Sequence, residues 1–182
     1  LKGFPSHINN YMKKLLIVVD YQNDFVDGTL GFDGAEKLEP LINKKIGEYR
    51  KNKNDVAFTF DTHKIDYLKS QEGLNLPVEH CIRGTLGFEL YGNIKKQVRT
   101  EDKCFFKPTF GSAELLDYLR EREDVYDSIE FVGLVSNICV ISNAIIAKTA
   151  LPEVQIIVDS KCTASFDEKL NNAALDLMQG LQ

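Results

Sequence analysis

The residue with the clearest chemical potential is Cys139, which follows a short apolar run over residues 131–135. Ser136 and Asn137 are favourable helix N-cap residues, and the helical pattern that they introduce stops before Pro152. We therefore expect Cys139 in the first turn of a helix, directly after a buried strand. The helix dipole and the free backbone N–H groups at that place favour a thiolate and supply oxyanion donors beside it. Taken alone, the stretch favours a buried packing cysteine, which is the commoner role of a free cysteine.

Further apolar runs end in ionisable side chains, and two of these side chains are Asp20 and Lys107. In an open sheet of parallel strands, ligands bind at the edge where the carboxyl ends of the strands meet. Asp20, Lys107 and Cys139 would bring a base, a cation and a nucleophile to that edge, which suits acyl transfer at an amide. Asp20 would take the thiol proton and pass it to the leaving amine, and Lys107 would bias the charge of both partners. Considered singly, Asp20 could instead cap the following loop, and Lys107 could be a surface lysine before a proline turn.

A second group of chemically active residues begins at the end of the second apolar run. Asp61 and His63 are two positions apart, so in extended backbone both project from the same face and could chelate one ion. Glu72 and His80 follow in the next long loop. Two imidazoles and up to two carboxylates suit Zn²⁺, Mn²⁺ or Fe²⁺, with water at the remaining positions. The spacing matches neither a zinc finger nor a zincin helix, so the residues alone slightly favour ordinary loop histidines.

The elements that must position these residues alternate along the chain. Hydrophobic patterns predict strands over residues 14–20, 55–60, 104–107, 129–134 and 154–158, and helices over residues 35–51, 113–123 and 166–178, besides the Cys139 helix that stops before Pro152. This alternation predicts an α/β fold, namely a three-layer, doubly wound, mainly parallel sheet with helices on both faces. Residues 62–102 form a long, mostly irregular stretch, which usually has a function. Asp159 ends the fifth strand, and we expect it to cap the loop over residues 160–165 and to support the site.

Length and composition set the limits of this interpretation. The 182 residues predict one domain, in which residues 1–11 are peripheral. With a net charge of −5 and no basic patch, the chain shows no sign of binding nucleic acid. It also lacks a signal-peptide pattern and an apolar run near the ~20 residues of a membrane span. The 4 cysteines are scattered, which is typical of reduced thiols, so we expect a cytoplasmic protein.

Six motifs resemble those of the isochorismatase-like cysteine hydrolases, and most of all the nicotinamidases within that superfamily. They are VVDYQNDF (18–25), FTFDTH (58–63), PVEHCIRGT (77–85), FFKPTFGS (105–112), GLVSNICV (133–140) and VDSKCTAS (158–165). The matches run in order over about residues 14–170, so the resemblance covers nearly the whole chain. It implies a single cysteine hydrolase domain with an isochorismatase-like, Rossmann-like fold, and relatives of this kind are commonly homo-oligomers.

The resemblance also implies roles for individual residues. The catalytic triad would be Asp20, Lys107 and Cys139, and the oxyanion hole would be the backbone N–H groups of Val135 and Cys139. A cis peptide bond would precede that hole, between Leu134 and Val135.

The resemblance further implies a metal ion beside the triad, which favours the metal site over ordinary loop histidines. Nicotinamidases bind this ion through an Asp-x-His pair, a later His or Glu, and a final His, and here those positions are Asp61, His63, Glu72 and His80. In the family the metal accepts the pyridine nitrogen while the cysteine attacks the carboxamide. Phe25 and Phe110 stand where the family places aromatic residues that contact the ring.

Departures from the family pattern concern the substrate pocket. Pro77, with Leu76 beside it, replaces a frequent stacking aromatic, Asn137 replaces a common Asp, and the loop after Lys107 is short. The sequence thus predicts hydrolysis of nicotinamide to nicotinate and ammonia through a thioester on Cys139. The alternatives are the same triad acting on another small amide, such as an N-carbamoyl or ureido compound, with a vestigial metal set, or a non-catalytic binding relative. Isochorismatases proper lack the cysteine nucleophile, so Cys139 argues against that branch.

Overall fold

Five runs rich in branched and aromatic residues form one sheet in the computed structural model, which describes residues 12–181. The strands are β1 (Lys13–Val19), β2 (Asp55–Asp61), β3 (Lys103–Lys107), β4 (Tyr126–Leu134) and β5 (Gln155–Ala164). Their spatial order is β3-β2-β1-β4-β5, and every neighbouring pair is parallel. The α/β fold predicted from sequence is therefore confirmed. Residues 1–11, predicted to be peripheral, lie outside the described residues.

The strand order reverses at β1, and this reversal creates the place where the candidate residues meet. From β1 the chain passes to β2 and β3 on one side, and then to β4 and β5 on the other. At such a switch point the connections leave the sheet in opposite directions and open a crevice beyond the carboxyl ends of the strands. Asp20 directly follows β1, and the turn that carries Cys139 directly follows β4.

Helices cover both faces of the sheet because the strands are apolar on both faces. Leu16 and Val18 of β1 pack in the cluster that contains α2, whereas Leu15 and Ile17 pack in the cluster that contains α5 and α6. The longer helices are α2 (Glu39–Lys51), α5 (Ala113–Arg120), α6 (Ile141–Ala150) and α7 (Glu168–Gly180), and the short ones are α1 (Asn23–Val26), α3 (Gln71–Asn75) and α4 (Ile94–Gln97). Within residues 12–181, none of the helices has the length and apolar character that spanning a membrane requires.

The structure differs from the sequence prediction most clearly at the fifth strand. Strand β5 continues to Ala164, so Asp159 lies inside a strand, and the Lys161 N–H that donates to its Oδ1 at 2.9 Å belongs to that strand and not to a loop. Its carboxylate is 2.7 Å from the Lys45 ammonium on α2, which also contacts Glu130. The prediction that Asp159 supports the site was therefore wrong. A register shift between β4 and β5 at residues 131–133 moves the end of β5, and the apolar pattern does not reveal such a shift.

Gly133 allows β4 to pass close to β1 just before the nucleophile turn. Its φ is +109°, a region that side chains with a Cβ rarely adopt. A Cβ at this position would clash with the backbone of Val19, which is the partner of Gly133 in the sheet register. Glycine is thus required here both by conformation and by space.

We expect Gly133→Ala to lower the free energy of unfolding by about 2 kcal/mol or more, since strain and overlap add. The matched control is Gly47→Ala in the exposed part of α2, where a Cβ meets nothing within 4 Å. That change should raise stability by about 0.5–1 kcal/mol, because glycine weakens a helix interior. Urea unfolding of both variants measures the difference, and equal stabilities would contradict the close approach.

Candidate active site

Asp20, Lys107 and Cys139 come together at the carboxyl edge of the sheet. The Lys107 Nζ atom lies 2.5 Å from Asp20 Oδ2 and 3.5 Å from Cys139 Sγ. The Lys107 side chain is 1% exposed and that of Asp20 is 0% exposed, so the pair is removed from water. A buried ammonium thus contacts both a carboxylate and a thiol, and the predicted meeting of these three residues at one edge of the sheet agrees with the structure.

Thr59 holds the Asp20 carboxylate in place. Asp20 has a φ of +43°, and the Thr59 hydroxyl donates a 2.6 Å hydrogen bond to Asp20 Oδ1. Burial raises the pKa of the Asp20 carboxyl above its ordinary value, and Lys107 and the Thr59 hydrogen bond only partly oppose this. Sequence reasoning did not single out Thr59, although a polar residue in a buried apolar strand was a signal.

Lys107 remains charged in spite of its burial. Burial lowers the pKa of the ammonium, but Asp20, Cys139 and Asp61 together raise it above its ordinary value. Its Nζ also donates to the Thr109 carbonyl oxygen at 3.1 Å. The alternative of a surface lysine before a proline turn is therefore wrong.

Cys139 lies in a π-helical turn, Ser136–Val140, that precedes α6. Its wider hydrogen bonding, from Val140 N–H to the Val135 carbonyl at 3.1 Å, moves the N-cap position to Val135. The prediction of a Ser136 or Asn137 cap was therefore wrong: neither side chain caps the turn, and the Ser136 hydroxyl donates to Asn171 of α7 at 2.6 Å.

The helix start does not determine the charge of the thiol. Burial raises the pKa of Cys139 well above its ordinary value, and the Lys107 charge opposes but does not reverse the effect. The thiol therefore needs a base before it can attack, and Asp20 is the carboxylate within hydrogen-bond reach of it. The Leu134–Val135 peptide bond beside this turn is cis, as the family resemblance implies.

The second group of predicted residues also converges. One ligand atom from each of Asp61, His63 and His80 lies within 4.8 Å of the others, and all three residues are buried. Asp61 Oδ2 is 2.9 Å from His63 Nε2 and 3.3 Å from His80 Nε2. Glu72 Oε1 lies 3.8 Å and 3.7 Å from the same two nitrogens. The loop that carries Glu72 and His80 thus folds back onto the end of β2.

The chemistry of this group fits a divalent transition metal. His80 Nδ1 donates to the Val78 carbonyl at 2.8 Å, so Nε2 is the nitrogen that faces Asp61 and, once deprotonated, could bind an ion. Hydrogen bonds with His63 and His80, together with the Lys107 charge, overcome burial and hold the pKa of Asp61 below its ordinary value. Two imidazole nitrogens and an ionised carboxylate are a donor set that suits zinc.

Asp61 joins the two groups into one cluster. Its Oδ2 faces the imidazoles, while its Oδ1 lies 3.6 Å from Lys107 Nζ. Gln22 fixes the Asp61 backbone in both directions, since its side chain donates to the Asp61 carbonyl at 2.9 Å and accepts from the Asp61 N–H at 2.8 Å.

Tyr67 is a further residue that sequence reasoning missed. Its ring centroid is 4.6 Å from that of His63 and 4.9 Å from that of His80, and its hydroxyl donates to the Leu76 carbonyl at 2.9 Å. It thereby holds both imidazoles and the end of the loop that carries Glu72. An isolated tyrosine in an irregular stretch gives no periodic signal, so only the structure could reveal it.

The two aromatic residues predicted to contact substrate lie on different segments. The Phe25 ring is 5.6 Å from the His80 ring. Phe110 follows β3 and is 46% exposed. Leu76, beside the position where an aromatic is frequent in the family, is 38% exposed.

We expect Lys107→Met to slow alkylation of Cys139 at fixed pH, because the Lys107 charge is what lowers the thiol pKa. Each unit of pKa rise cuts the thiolate fraction about tenfold. The variant should also lose about 3–5 kcal/mol of stability, since Asp20 would be left as an unpaired buried charge. Mass spectrometry of the Cys139 peptide after iodoacetamide treatment measures the rate.

Lys45→Met is the matched control for this experiment. Lys45 also contacts two carboxylates, those of Glu130 and Asp159, but it belongs to α2 and has no contact with the cluster. Lys45→Met should lower the free energy of unfolding and leave the alkylation rate of Cys139 unchanged. Equal rates in Lys107→Met and the parent protein would contradict the role of the Lys107 charge.

Comparison with known proteins shows which family this chain belongs to. The profile of the isochorismatase domain matches residues 14–182. The isochorismatase family protein PncA of Bacillus subtilis is 31% identical over 171 residues, which cover 87% of this chain and 90% of that protein. The nicotinamidase of Saccharomyces cerevisiae is 26% identical over 202 residues, which cover 87% of this chain and 92% of that enzyme.

A solved structure agrees with these matches. The crystal structure of the nicotinamidase/pyrazinamidase PncA from Bacillus subtilis superposes with a TM-score of 0.80 at 30% identity and covers 92% of this chain and 95% of that chain. Sequence, family profile and fold thus agree over nearly the same span. This chain belongs to the isochorismatase domain family.

Proposed function

We propose that this protein is a cysteine amidohydrolase that converts nicotinamide to nicotinate and ammonia. The observation that carries the proposal is the buried Lys107 ammonium, which contacts both Asp20 and Cys139. A cation that contacts both a carboxylate and a thiol is suited to nucleophilic attack on an amide, because the carboxylate can act as base and the thiol as nucleophile. Family membership and the relatives named as nicotinamidases support the same reaction class.

In the first half-reaction, Asp20 accepts the proton of the Cys139 thiol as the sulfur attacks the carboxamide carbon. The C–S bond forms, the carbonyl π electrons move to oxygen, and the backbone N–H groups of Val135 and Cys139 stabilise the oxyanion. The intermediate collapses with cleavage of the C–N bond, and Asp20 returns its proton to the leaving nitrogen. The products of this step are ammonia and a thioester on Cys139.

In the second half-reaction, Asp20 takes a proton from a water molecule as the water oxygen attacks the thioester carbon. The C–S bond breaks, Asp20 protonates the departing sulfur, and the product acid releases its remaining proton to solvent and leaves as nicotinate. The raised pKa of Asp20 suits both directions of this proton transfer, because a base that binds its proton too weakly would not accept it from the thiol. Lys107 stays charged throughout and keeps Asp20 and the sulfur in contact.

We further propose that Asp61, His63 and His80 hold one divalent ion, with Glu72 next to them as a further carboxylate. When bound, the ion would act as a Lewis acid toward the pyridine nitrogen and thereby orient the ring. Zinc, manganese and iron all accept such donors, and zinc is the first to test. Phe25 and Phe110 would contact the faces of the ring.

The first experiment is ammonia release from nicotinamide by the purified protein, with and without a chelator. We expect release that Cys139→Ala abolishes and that chelation reduces strongly, with recovery on adding zinc. Cys104→Ala is the matched control, because this half-buried cysteine lies on β3 and makes no contact with the triad. It should retain the parent activity.

Two results of this assay would contradict parts of the proposal. Activity on an N-carbamoyl amide, but none on nicotinamide, would reject the substrate and retain the triad. Leu76 and Pro77 are the reason to test that alternative substrate. They stand where the family frequently has an aromatic residue that stacks on the nicotinamide ring. An inert Cys139 together with no turnover of any small amide would reject the enzyme.

We expect Thr59→Val to move the acid limb of the pH profile of kcat/KM to higher pH. The acid limb reflects ionisation of Asp20, and activity rises as the carboxyl loses its proton. The Thr59 hydrogen bond lowers the pKa of Asp20, so its removal raises that pKa. Tyr126→Phe, which removes a buried hydroxyl at the opposite end of the sheet, should leave the limb in place. A shift to lower pH in Thr59→Val would show that another group controls the limb.

A further inference from the structure

Asn143 is a buried amide that touches both turns of the candidate site. It lies in α6, four residues after Cys139, and is 0% exposed. Its Nδ2 atom donates to the Cys139 carbonyl at 2.7 Å and to the Phe110 carbonyl at 3.0 Å. Its Oδ1 atom accepts from the Ser112 N–H at 3.0 Å. One side chain thus joins the turn of the nucleophile to the turn that follows Lys107.

The hydrogen-bond pattern requires an amide at this position. Two carbonyl oxygens need a donor and one N–H needs an acceptor, so only one orientation of the Asn143 amide satisfies all three. An aspartate would place a carboxylate against two carbonyl oxygens, and an aliphatic residue would leave all three groups without a partner. Each such buried group destabilises the fold when it is left unpaired.

The turn after β3 depends on α6 for its position. Gly111 lies so close to this helix that a Cβ would come within 2.6 Å of Ile146 Cδ1. Ser112, the next residue, caps α5 by accepting from the Leu115 N–H at 3.1 Å. The Asn143 bonds to residues 110 and 112 therefore lie on either side of Gly111, which packs against the helix.

We propose that Asn143 is a positioning residue, which holds the Phe110 turn at a fixed distance from Cys139. This inference rests on the proposed function in one respect, because it takes Phe110 as the aromatic that contacts the substrate. Loss of the amide would displace the ring contact relative to the attacking sulfur. Reaction rates fall steeply with misplacement of this kind, about a hundredfold for 1 Å.

Two substitutions distinguish the Asn143 hydrogen bond to the turn of Cys139 from its hydrogen bonds to the turn of Phe110. Asn143→Ala removes all three hydrogen bonds. Asn143→Ser retains a hydroxyl, which in a helix reaches the carbonyl four residues earlier, here that of Cys139, but does not reach Phe110. The matched control is Tyr126→Phe, which removes buried hydrogen bonds to Tyr118 and Asp55 at the opposite end of the sheet.

The measurements are melting temperature, kcat and KM for nicotinamide, and hydrogen exchange of the peptide that contains Ser112. We expect both Asn143 variants to exchange faster in that peptide. Asn143→Ser should raise KM by about tenfold with a smaller change in kcat, whereas Asn143→Ala should also lower kcat by about tenfold. Tyr126→Phe should lower the melting temperature and leave kcat, KM and the exchange of that peptide unchanged.

The proposal is overturned if the folded Asn143 variants keep the exchange rate of that peptide or keep both kcat and KM within about twofold of the parent values. Asn143→Ser decides the matter if Asn143→Ala does not fold, because it retains one of the three bonds. Hydrogen exchange needs no substrate. A parent protein without turnover would therefore reject the proposed function, while the exchange rates would still show whether Asn143 holds the turn.

Discussion

The buried charge of Lys107 is the constraint on which the rest of the site depends. An ammonium removed from water is stable only where carboxylates surround it, and here Asp20 lies at 2.5 Å and Asp61 at 3.6 Å. The same charge reaches Cys139 and is the main influence that lowers the pKa of a thiol that burial otherwise raises. One cation therefore links the base, the nucleophile and the group of potential metal ligands. No single member of this set can change its charge without affecting the others.

The sheet topology makes this concentration of charge possible. Asp20 follows β1, Asp61 and Lys107 end β2 and β3, and Cys139 follows β4, so four consecutive strands of the sheet order each contribute one residue. All strands are parallel, so all four contributions fall on the same edge. The apolar strands beneath them exclude water, which strengthens every electrostatic interaction at that edge.

A shell of polar side chains fixes the reactive ones. Thr59 orients the Asp20 carboxylate, Gln22 holds the backbone of Asp61, and Asn143 joins two turns. Tyr67 packs against both imidazoles in addition. Such support is what holds catalytic groups in reactive geometry, because exposed side chains on loops would otherwise sample many rotamers. Each of these residues is buried, so their hydrogen bonds are protected from competition by water.

The sequence by itself determined the fold class and which residues could react. Continuous Ile- and Val-rich runs indicated strands buried on both faces, and ionisable side chains at their ends indicated one shared edge, because strand direction is enough to predict that edge. The motifs then indicated the family and the residues of both groups, and the structure brings those residues together. Only the tertiary structure decided the rest. The extension of β5 past Asp159, the partner of Ser136, the direction of the Cys139 pKa shift, and the roles of Tyr67 and Asn143 all depend on contacts between residues distant in the chain. The hydrophobic pattern of a segment predicts on which face of a helix or strand a residue lies. Its charge state and its hydrogen-bond partners depend on which other segments the fold packs against that face.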